Sequence, residues 1–244
     1  MKEKAVPLLL PRKVALVTGG NRGIGLAIAR ALIAEGSNVM ISARGASRLQ
    51  RVARQISTSR AKAVPVVCDV RDSEAVQRML VALKERFGRL DVLVNNAGIT
   101  HRNLNVANLP VESWREVIAT NLTGMFLVTR AALPLMKRGG AIVNNLSIAA
   151  ERTFPGSSAY NASKHGALGF TNTLREELRE QGIRVIALLP GATDTAIWTA
   201  LWPDAPRRKM MSPTTVAQAV VRALTLPLEG TLEQLRILPQ AGAL

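Results

Sequence analysis

The sequence is poor in the side chains that build disulfide frameworks and metal sites. Its 244 residues contain one cysteine, Cys68, and two histidines, His101 and His165. A single cysteine excludes an internal disulfide or a cysteine cluster, and two histidines are too few for an ordinary zinc site. We therefore expect no metal, and a cytoplasmic protein whose thiol stays reduced.

Long apolar runs are also missing. No stretch reaches the roughly 18 uninterrupted apolar residues of a membrane span. The opening MKEKAVPLLLPRK is interrupted by Pro7 and Pro11, and no small-residue cleavage site follows it. We predict a flexible arm over residues 1–11 and no association with a membrane.

Acidic residues are few: 17 of them face 32 basic ones, for a net charge of +15. Such a charge is typical of a protein that binds nucleic acid or an anionic membrane. The positive residues are scattered, however, except between Arg44 and Lys62, where they recur every three or four residues without aromatics for base stacking. This pattern favours a solvated helix face, part of which attracts an anionic ligand, over a nucleic-acid site.

The sequence does contain strand-length apolar segments that alternate with helical patterns. The strand segments are 13–19, 38–43, 63–70, 90–98, 140–147 and 183–191. Such alternation predicts an α/β fold with a Rossmann-type doubly wound parallel sheet of about seven strands and helices on both faces. Because no linker or repeat interrupts it, we predict a single domain over residues 12–244.

A glycine-rich turn follows the first strand segment and runs into a helix. Glycines let the backbone approach a pyrophosphate, whose charge the helix N-terminus stabilises. The spacing differs from G-x-G-x-x-G, and a tight strand-to-helix turn is the alternative. The candidate cofactor-binding residues of this turn are Gly19, Asn21, Arg22, Gly23, Ile24 and Gly25.

The end of the second strand segment indicates which cofactor fits. An NAD-binding protein carries an acid there, whereas this sequence has Ala43 and Arg44. Two guanidinium groups, from Arg22 and Arg44, favour a 2′-phosphate and therefore NADP(H). The alternative is that Arg44 merely starts the basic helix face.

Two further strand ends extend the candidate cofactor site. Asp69 and Val70 follow the third strand and would contact the adenine. The fourth strand ends in an Asn pair that is hard to explain as core, because buried amides need several partners. Its candidates are Asn95, Ala97 and Gly98.

Several motifs together resemble the short-chain dehydrogenase/reductase family over residues 12 to 195. They are TGGNRGIG, NNAG, Asn121 within ATNLTG, Ser147, YNASK and PGATDT, in order. The nearest resemblance is to NADPH-dependent 3-oxoacyl-carrier-protein reductases and related carbonyl reductases. It implies reversible hydride transfer between a nicotinamide and a small-molecule carbonyl or alcohol, in a homo-oligomer (dimer or tetramer). A cofactor-sensing or nucleic-acid-binding protein on the same fold is the alternative.

The candidate catalytic residues are Asn121, Ser147, Tyr160 and Lys164. Tyr160, the only tyrosine, lies four residues before Lys164 and on the same helix face. We expect the lysine cation to lower the phenol pKa from about 10, so that Tyr160 acts as general acid or base. Ser147 would orient the substrate oxygen.

The resemblance adds further roles. It implies that Lys164 also binds the nicotinamide ribose, that Asn121 holds a water in the proton relay, and that residues of the PGATDT motif hold the nicotinamide. Those residues are Pro190, Gly191, Thr193 and Thr195.

The sequence also departs from the family pattern. Asn145 and Leu146 replace an apolar and a small residue, so we expect Asn145 to need partners and Leu146 to narrow the floor of the site. The C-terminal LEQLRILPQAGAL differs from the usual ending of carrier-protein reductases. His101 is expected to be a solvated loop residue.

A lid is expected over residues 192–212. Its apolar residues, Trp198, Trp202, Met210 and Met211, suit a bulky apolar carbonyl, whereas the basic trio Arg207–Lys209 suits a phosphopantetheine-bearing acyl carrier. The third possibility is that the tryptophans pack on the body and the basic trio is solvated.

Overall fold

The computed structural model describes residues 9–242, which form one seven-stranded parallel sheet. The strands are β1 (Val14–Thr18), β2 (Asn38–Ala43), β3 (Ala63–Val67), β4 (Val92–Asn95), β5 (Ala141–Asn145), β6 (Arg184–Pro190) and β7 (Gln234–Ile237). Their order is β3-β2-β1-β4-β5-β6-β7. The chain therefore reverses direction across the sheet between β1 and β4, which is where ligands bind in folds of this type.

Helices cover both faces of the sheet. They are α1 (Gly23–Ala34), α2 (Ala46–Ile56), α3 (Ser73–Phe87), α4 (Val111–Ile118), α5 (Gly124–Ala132), α6 (Ser158–Leu178), α7 (Trp198–Leu201) and α8 (Pro213–Leu224). Side chains of α1, α2 and α8 share a core with one sheet face, and those of α3, α5 and α6 share a core with the other. The predicted doubly wound α/β fold is confirmed.

Helix α3 shows how local sequence sets these boundaries. Asp72 caps its N-terminus, because its Oδ1 accepts hydrogen bonds from the backbone N–H groups of Glu74 and Ala75 at 2.8 and 3.1 Å. Gly88 ends the helix at φ 72°, a conformation that favours glycine. The next strand then begins with buried Val92.

Three segments differ from the strands and helices that the sequence predicts. The fourth strand stops at Asn95, so residues 96–98 form a loop at the sheet edge. The helical pattern over 114–139 is interrupted by a π-helical turn at Ala119–Thr123. The divergent C-terminal segment contributes β7, which pairs with β6. Each difference places backbone or side chains near the carboxyl ends of the strands.

The expected N-terminal arm falls only partly within the described residues. Residues 1–8 lie outside them, and residues 9–11 are fastened rather than free. Leu10 is 6% exposed within the core; its N–H donates to the Glu35 carbonyl, and its carbonyl accepts from Ser37 Oγ. Because these contacts bury an apolar side chain, the flexible part of the arm would have to end before Leu10.

One helical run, Val111–Leu135, has the length and hydropathy of a membrane span. The core helices of many water-soluble proteins share these properties, so the run is weak evidence for a membrane segment. Val117, Met125 and Val128 of this run are buried inside the fold.

Candidate active site

A cavity of about 1090 Å³ runs along the carboxyl ends of the parallel strands. It begins at the glycine turn after β1, passes the ends of β2 to β6 and finishes beneath α7. This volume exceeds that of most sites for one small ligand, which is roughly 300–1,000 Å³. The cavity is therefore large enough for a dinucleotide and a second molecule.

The glycine turn has the form of an anion cradle. Gly19 has φ 64°, and a Cβ there would lie 2.9 Å from Asn96 Nδ2. Gly23 has φ 54° and starts α1, whose first turn contains no acidic residue. The residues of this turn therefore fit a pyrophosphate, which would be held by the N-terminal N–H groups of α1.

Gly25 has a different role from the one expected. It does not line the cavity; a Cβ on Gly25 would lie 2.3 Å from Asn96 Nδ2 and 2.5 Å from the Gly19 carbonyl oxygen. Asn96 donates from Nδ2 to the carbonyls of Thr18 and Gly19 at 2.9 and 3.2 Å. Gly25 thus makes room for an amide that fixes the turn.

The two residues of the Asn pair point to different sides: Asn95 lies in the core and Asn96 lines the cavity. Asn95 was expected at the cofactor, but it is 3% exposed, lies away from the cavity and donates to Thr129 Oγ1 and Asn144 Oδ1 at 2.8 and 2.9 Å. That placement is a correction, and its cause is the alternation of side chains along β4. Asn96 lines the cavity with Ala97 and Gly98, and the unexplained second amide was its signal in the sequence.

Basic side chains collect at the other end of the glycine turn. Arg22, Arg44 and Arg48 line the cavity and are exposed, and Ala43, the last residue of β2, also lines it. Nearby Asp69 contacts Arg71 through both carboxylate oxygens, with Arg71 Nη2 2.7 Å from Oδ2. These bonds lower the pKa of Asp69 and offset its charge, so the local potential is positive.

The candidate catalytic side chains meet near the middle of the cavity. Ser147 follows β5, while Tyr160 and Lys164 lie one turn apart on α6, and all three line the cavity. Lys164 is 5% exposed; its Nζ lies 5.5 Å from the centroid of the Tyr160 ring and donates to the Asn145 carbonyl at 3.0 Å. The predicted shared helix face is confirmed.

The electrostatics differ from the expectation. Burial raises the pKa of the Tyr160 phenol, and a hydrogen bond with Ser147 opposes this shift. Burial also lowers the pKa of Lys164 to about 8. The predicted lowering of the phenol pKa is therefore wrong, because loss of solvation outweighs the hydrogen bond with Ser147.

Asn121 braces the site from below. It is 1% exposed in the π-helical turn, and its Oδ1 accepts from the Ile99 N–H at 2.8 Å. Its Nδ2 donates to the Ile99 carbonyl and to Ser163 Oγ at 2.9 and 3.0 Å. Because these bonds use both amide protons, the side chain fixes the loop after β4 against α6.

The two departures in β5 are both accommodated. Asn145 donates from Nδ2 to Asn96 Oδ1 at 2.8 Å, but its own Oδ1 is buried without a partner among the described residues. Leu146 is 3% exposed and packs in a core cluster with Met125 and Ala167. It therefore lines the cavity while its side chain packs in the core, and its narrowing of the floor stays a prediction.

His101 is buried rather than solvated. It is 7% exposed, its Nδ1 lies 2.7 Å from the Arg102 carbonyl, and its Nε2 has no partner within residues 9–242. The expectation of a solvated loop histidine is therefore wrong.

The PGATDT motif and the lid close the far end of the cavity. Pro190, Gly191, Thr193 and Thr195 all line it, and Thr193 Oγ1 donates to the Gly191 carbonyl at 3.0 Å. The ends of the lid are joined, because Met211 donates its N–H to Ala192 and accepts from that of Asp194. The lid is therefore a closed loop that carries α7.

Comparison with protein families agrees with this geometry. The model for short chain dehydrogenases matches residues 13–206. An uncharacterised oxidoreductase of Staphylococcus aureus strain USA300 is 35% identical over 233 residues, which cover 95% of this chain and 99% of that protein. A 3-oxoacyl-[acyl-carrier-protein] reductase of Synechocystis is 40% identical over 190 residues, or 76% of each chain.

Solved structures are similar over nearly the whole chain. A dehydrogenase/reductase from Sinorhizobium meliloti is 34% identical, with a TM-score of 0.88 and coverage of 97% and 98%. An archaeal alcohol dehydrogenase from Thermococcus sibiricus, complexed with 5-hydroxy-NADP, is 33% identical, with a TM-score of 0.86 and coverage of 93% and 96%. A 3-ketoacyl-(acyl-carrier-protein) reductase from Brucella melitensis, complexed with NADH, is 31% identical, with a TM-score of 0.86 and coverage of 95% and 98%.

The family match covers residues 13–206, and the Staphylococcus aureus relative and the Sinorhizobium meliloti structure are similar over nearly the whole chain. This chain is an oxidoreductase that belongs to the short-chain dehydrogenase family.

Proposed function

We propose that this chain interconverts a carbonyl and an alcohol with NADP(H) as cofactor and Tyr160 as general acid and base. One observation carries the proposal: Ser147, Tyr160 and Lys164 line the same cavity as the glycine turn and the exposed Arg22 and Arg44. A dinucleotide bound at the glycine turn would therefore share one cavity with the candidate catalytic side chains.

The chain's own residues would position the substrate oxygen and supply its proton. A bound nicotinamide supplies or accepts the hydride. Tyr160 stays protonated at neutral pH because burial raises its pKa, so it can donate to a carbonyl oxygen. Ser147 Oγ accepts from the Ala149 N–H at 3.1 Å and is hydrogen-bonded to Tyr160, so a substrate oxygen that replaces the latter bond would receive the Ser147 proton. Lys164 places a cation behind the phenol.

The preference for NADP(H) rests on charge. Arg22, Arg44 and Arg48 line the end of the cavity near β2, and the Asp69 carboxylate is paired with Arg71. A 2′-phosphate would meet several guanidinium groups there and no free carboxylate among the lining residues. The cofactors of the two structural relatives, an NADP derivative and NADH, are both compatible with this fold.

Substituting Tyr160→Phe tests the reaction. The variant keeps the ring but has no proton to donate, so we expect kcat for NADPH-dependent ketone reduction to fall by at least about a hundredfold. The affinity for NADPH, measured by fluorescence titration, should change little. Equal turnover by both proteins on every accepted ketone would disprove the role of Tyr160.

Substituting Arg44→Ala tests the cofactor preference. We expect KM for NADPH to rise about ten- to a hundredfold, with KM for NADH changed less than about twofold, since a charged hydrogen bond contributes roughly 1.5–3 kcal/mol. Arg51, on α2, is exposed but does not line the cavity, so Arg51→Ala is the matched control. A wild type that uses NADH better than NADPH would contradict the preference.

A 3-oxoacyl-carrier-protein reductase is the second candidate, and the 40% identity to the Synechocystis enzyme favours it. We also propose a cytoplasmic homo-oligomer, either a dimer or a tetramer. Exposed apolar side chains on the outer surface, such as Val111, Trp114 and Phe126, support self-association. Arg44 and Arg48 face the cavity, which favours a cofactor over nucleic acid as the anion they attract.

A further inference from the structure

The substrate end of the cavity differs chemically from the cofactor end. Among the described residues that line it, the charged ones are Arg22, Arg44, Arg48, Asp69 and Lys164. The first four lie at the glycine turn and the ends of β2 and β3. Lys164 is therefore the one charge near the substrate, and the Asn145 carbonyl and the cofactor site already engage it.

The walls around Ser147 and Tyr160 are apolar. They comprise the loop after β4, the segment after β5 and the lid, with side chains of Ile99, Ile148, Phe154, Ile197, Trp198 and Trp202. Burying a carboxylate or phosphate without a partner against such walls is costly, whereas burying apolar surface contributes about 25 cal/mol per Å². The walls thus select against charge.

Polar side chains on these walls turn to the backbone. In the orientation that satisfies its hydrogen bonds, the Asn103 amide donates to the carbonyls of Gly156 and Pro155 at 2.8 and 3.0 Å. Thr100 Oγ1 donates to the His101 carbonyl at 3.4 Å. With Asn103 and Thr100 so engaged, we assign the substrate oxygen to Ser147 and Tyr160, two hydroxyl-bearing residues that line the cavity with Lys164.

The two lid tryptophans, Trp198 and Trp202, both line the cavity. Trp198 Nε1 donates to the Thr193 carbonyl at 2.9 Å, which fixes its ring against the PGATDT motif. Trp202 follows one turn later, where its N–H bonds to the Trp198 carbonyl at 2.8 Å, and it is 46% exposed. An indole with this much free surface on a cavity wall suits a flat apolar ligand.

The basic trio of the lid does not serve this cavity. Arg207 Nη1 is engaged by Asp194 Oδ1 and the Thr195 carbonyl, at 2.7 Å each. Arg208 and Lys209 line a separate cleft of about 530 Å³ with Pro239 and Gln240. The phosphate of a carrier arm would therefore find no cation on the walls of the substrate end.

We infer that the substrate is an uncharged, bulky apolar carbonyl compound with an aromatic or fused ring, free in solution, whose reacting carbonyl is its one polar group inside the site. The inference rests on the proposed function. In reduction, the carbonyl carbon receives a hydride from NADPH and the oxygen receives the Tyr160 proton, so the products are the alcohol and NADP⁺.

A matched set of ketones tests the class. We expect kcat/KM for 2-tetralone and methyl 4-acetylbenzoate to exceed that for 4-acetylbenzoate by at least about tenfold, because the free acid differs from its ester mainly by a buried charge. Acetoacetyl-coenzyme A, as the phosphate-bearing thioester, should also be at least about tenfold poorer. Equal or better turnover of the free acid or the thioester would overturn the inference.

Substituting Trp202→Ala tests the wall. We expect kcat/KM for 2-tetralone to fall about tenfold, with the rate on acetone, which is too small to reach the indole, nearly unchanged. Leu228 is exposed outside the cavity, so Leu228→Ala controls for loss of an exposed apolar side chain. Melting temperatures of both variants check folding, and an unchanged preference in a folded Trp202→Ala protein would refute the role of the lid.

Two outcomes distinguish failure of the substrate class from failure of the proposed carbonyl reductase function. If no compound in the set oxidises NADPH faster with wild type than with Tyr160→Phe, the carbonyl reductase function fails, and the inference fails with it. If the charged compounds react in a Tyr160-dependent way and the apolar ones do not, the function stands and the substrate class is wrong.

Discussion

The floor of the cavity and its lid are built by opposite means. The floor is formed by the end of β5, the start of α6 and the π-helical turn. Buried Asn121, Ser163 and Lys164 make hydrogen bonds there that join the loop after β4, the π-helical turn, β5 and α6. The lid, residues 192–212, is held by hydrogen bonds near its two ends and carries one short α-helix between them. The proposed chemistry thus lies on a rigid element, and the proposed selection of the substrate on a more loosely held one.

The largest expected effect is at the floor. Substituting Lys164→Met removes the cation behind Tyr160, so we expect kcat for ketone reduction to fall by about a thousandfold. Burial lowers the lysine pKa from 10.5 to about 8, so the ammonium destabilises the fold below pH 8. The variant should therefore gain roughly 1–3 kcal/mol in free energy of unfolding at pH 7.

Chemical denaturation at pH 7 and at pH 10 measures this effect. Between the folded pKa of about 8 and the unfolded value of 10.5, the unfolded wild type binds more protons, so its stability rises with pH and the advantage of Lys164→Met shrinks. If Lys164→Met is less stable than wild type at pH 7, the buried Lys164 ammonium stabilises the fold, and the expectation that it lowers the free energy of unfolding is wrong.

The next effect concerns the turn that positions the cofactor. Gly25→Ala would bring a Cβ to 2.3 Å from Asn96 Nδ2, so either α1 or the amide must shift. We expect affinity for NADPH, measured by calorimetry, to fall about a hundredfold, and stability to fall by roughly 1–3 kcal/mol.

Gly169→Ala is the matched control for this substitution. Gly169 lies in α6, and a Cβ there would meet nothing within 4 Å. Because alanine favours a helix interior more than glycine, this variant should gain up to about 1 kcal/mol and keep its cofactor affinity. Similar losses in both variants would mean that packing of Asn96 does not fix the glycine turn.

The floor was largely predictable from the sequence, and the lid was not. Ser147 follows a strand, and Tyr160 and Lys164 share a helix face, and all three line one cavity at the edge where the parallel strands end. The direction of a side chain at the end of a strand was harder to predict. Asn95, the last residue of β4, turns into the core, and Asn96, the first residue of the loop, lines the cavity.

Burial was the second quantity that the sequence left open. The shift in the Tyr160 pKa depends on how much solvent the surrounding elements exclude, and the sequence gives no measure of that. The sequence likewise gives no measure of the exposure of the His101 side chain, which the fold buries. In the lid, the sequence showed two tryptophans and a basic trio but not which of them faces the cavity.

The pH dependence of reduction gives a smaller, graded effect at the floor. Lys164 loses its charge as pH rises through about 8, whereas Tyr160 stays protonated because its pKa is raised. We expect kcat/KM for ketone reduction to be constant below pH 8 and to fall up to about tenfold per pH unit above it. The guanidinium of Lys164→Arg stays charged, so the remaining kcat/KM of this variant should not fall between pH 8 and pH 10. A limb at the same pH in both proteins would assign it to another group.

The smallest expected effect tests how the lid is fastened. Arg207 joins the far part of the lid to Asp194 and Thr195, whereas its neighbour Arg208 is exposed and has no ion pair within the described part of the chain. Arg207→Gln should raise KM for 2-tetralone about three- to tenfold, since a half-exposed ion pair and one charged hydrogen bond contribute only about 1 kcal/mol.

Cleavage within residues 196–211 by a protease should become faster, and kcat should stay within about twofold because the floor is untouched. Arg208→Gln removes the same charge and should change neither quantity. Equal effects of the two substitutions would mean that the lid responds to net charge, and the contrast between a rigid floor and a separately fastened lid would then lose its support.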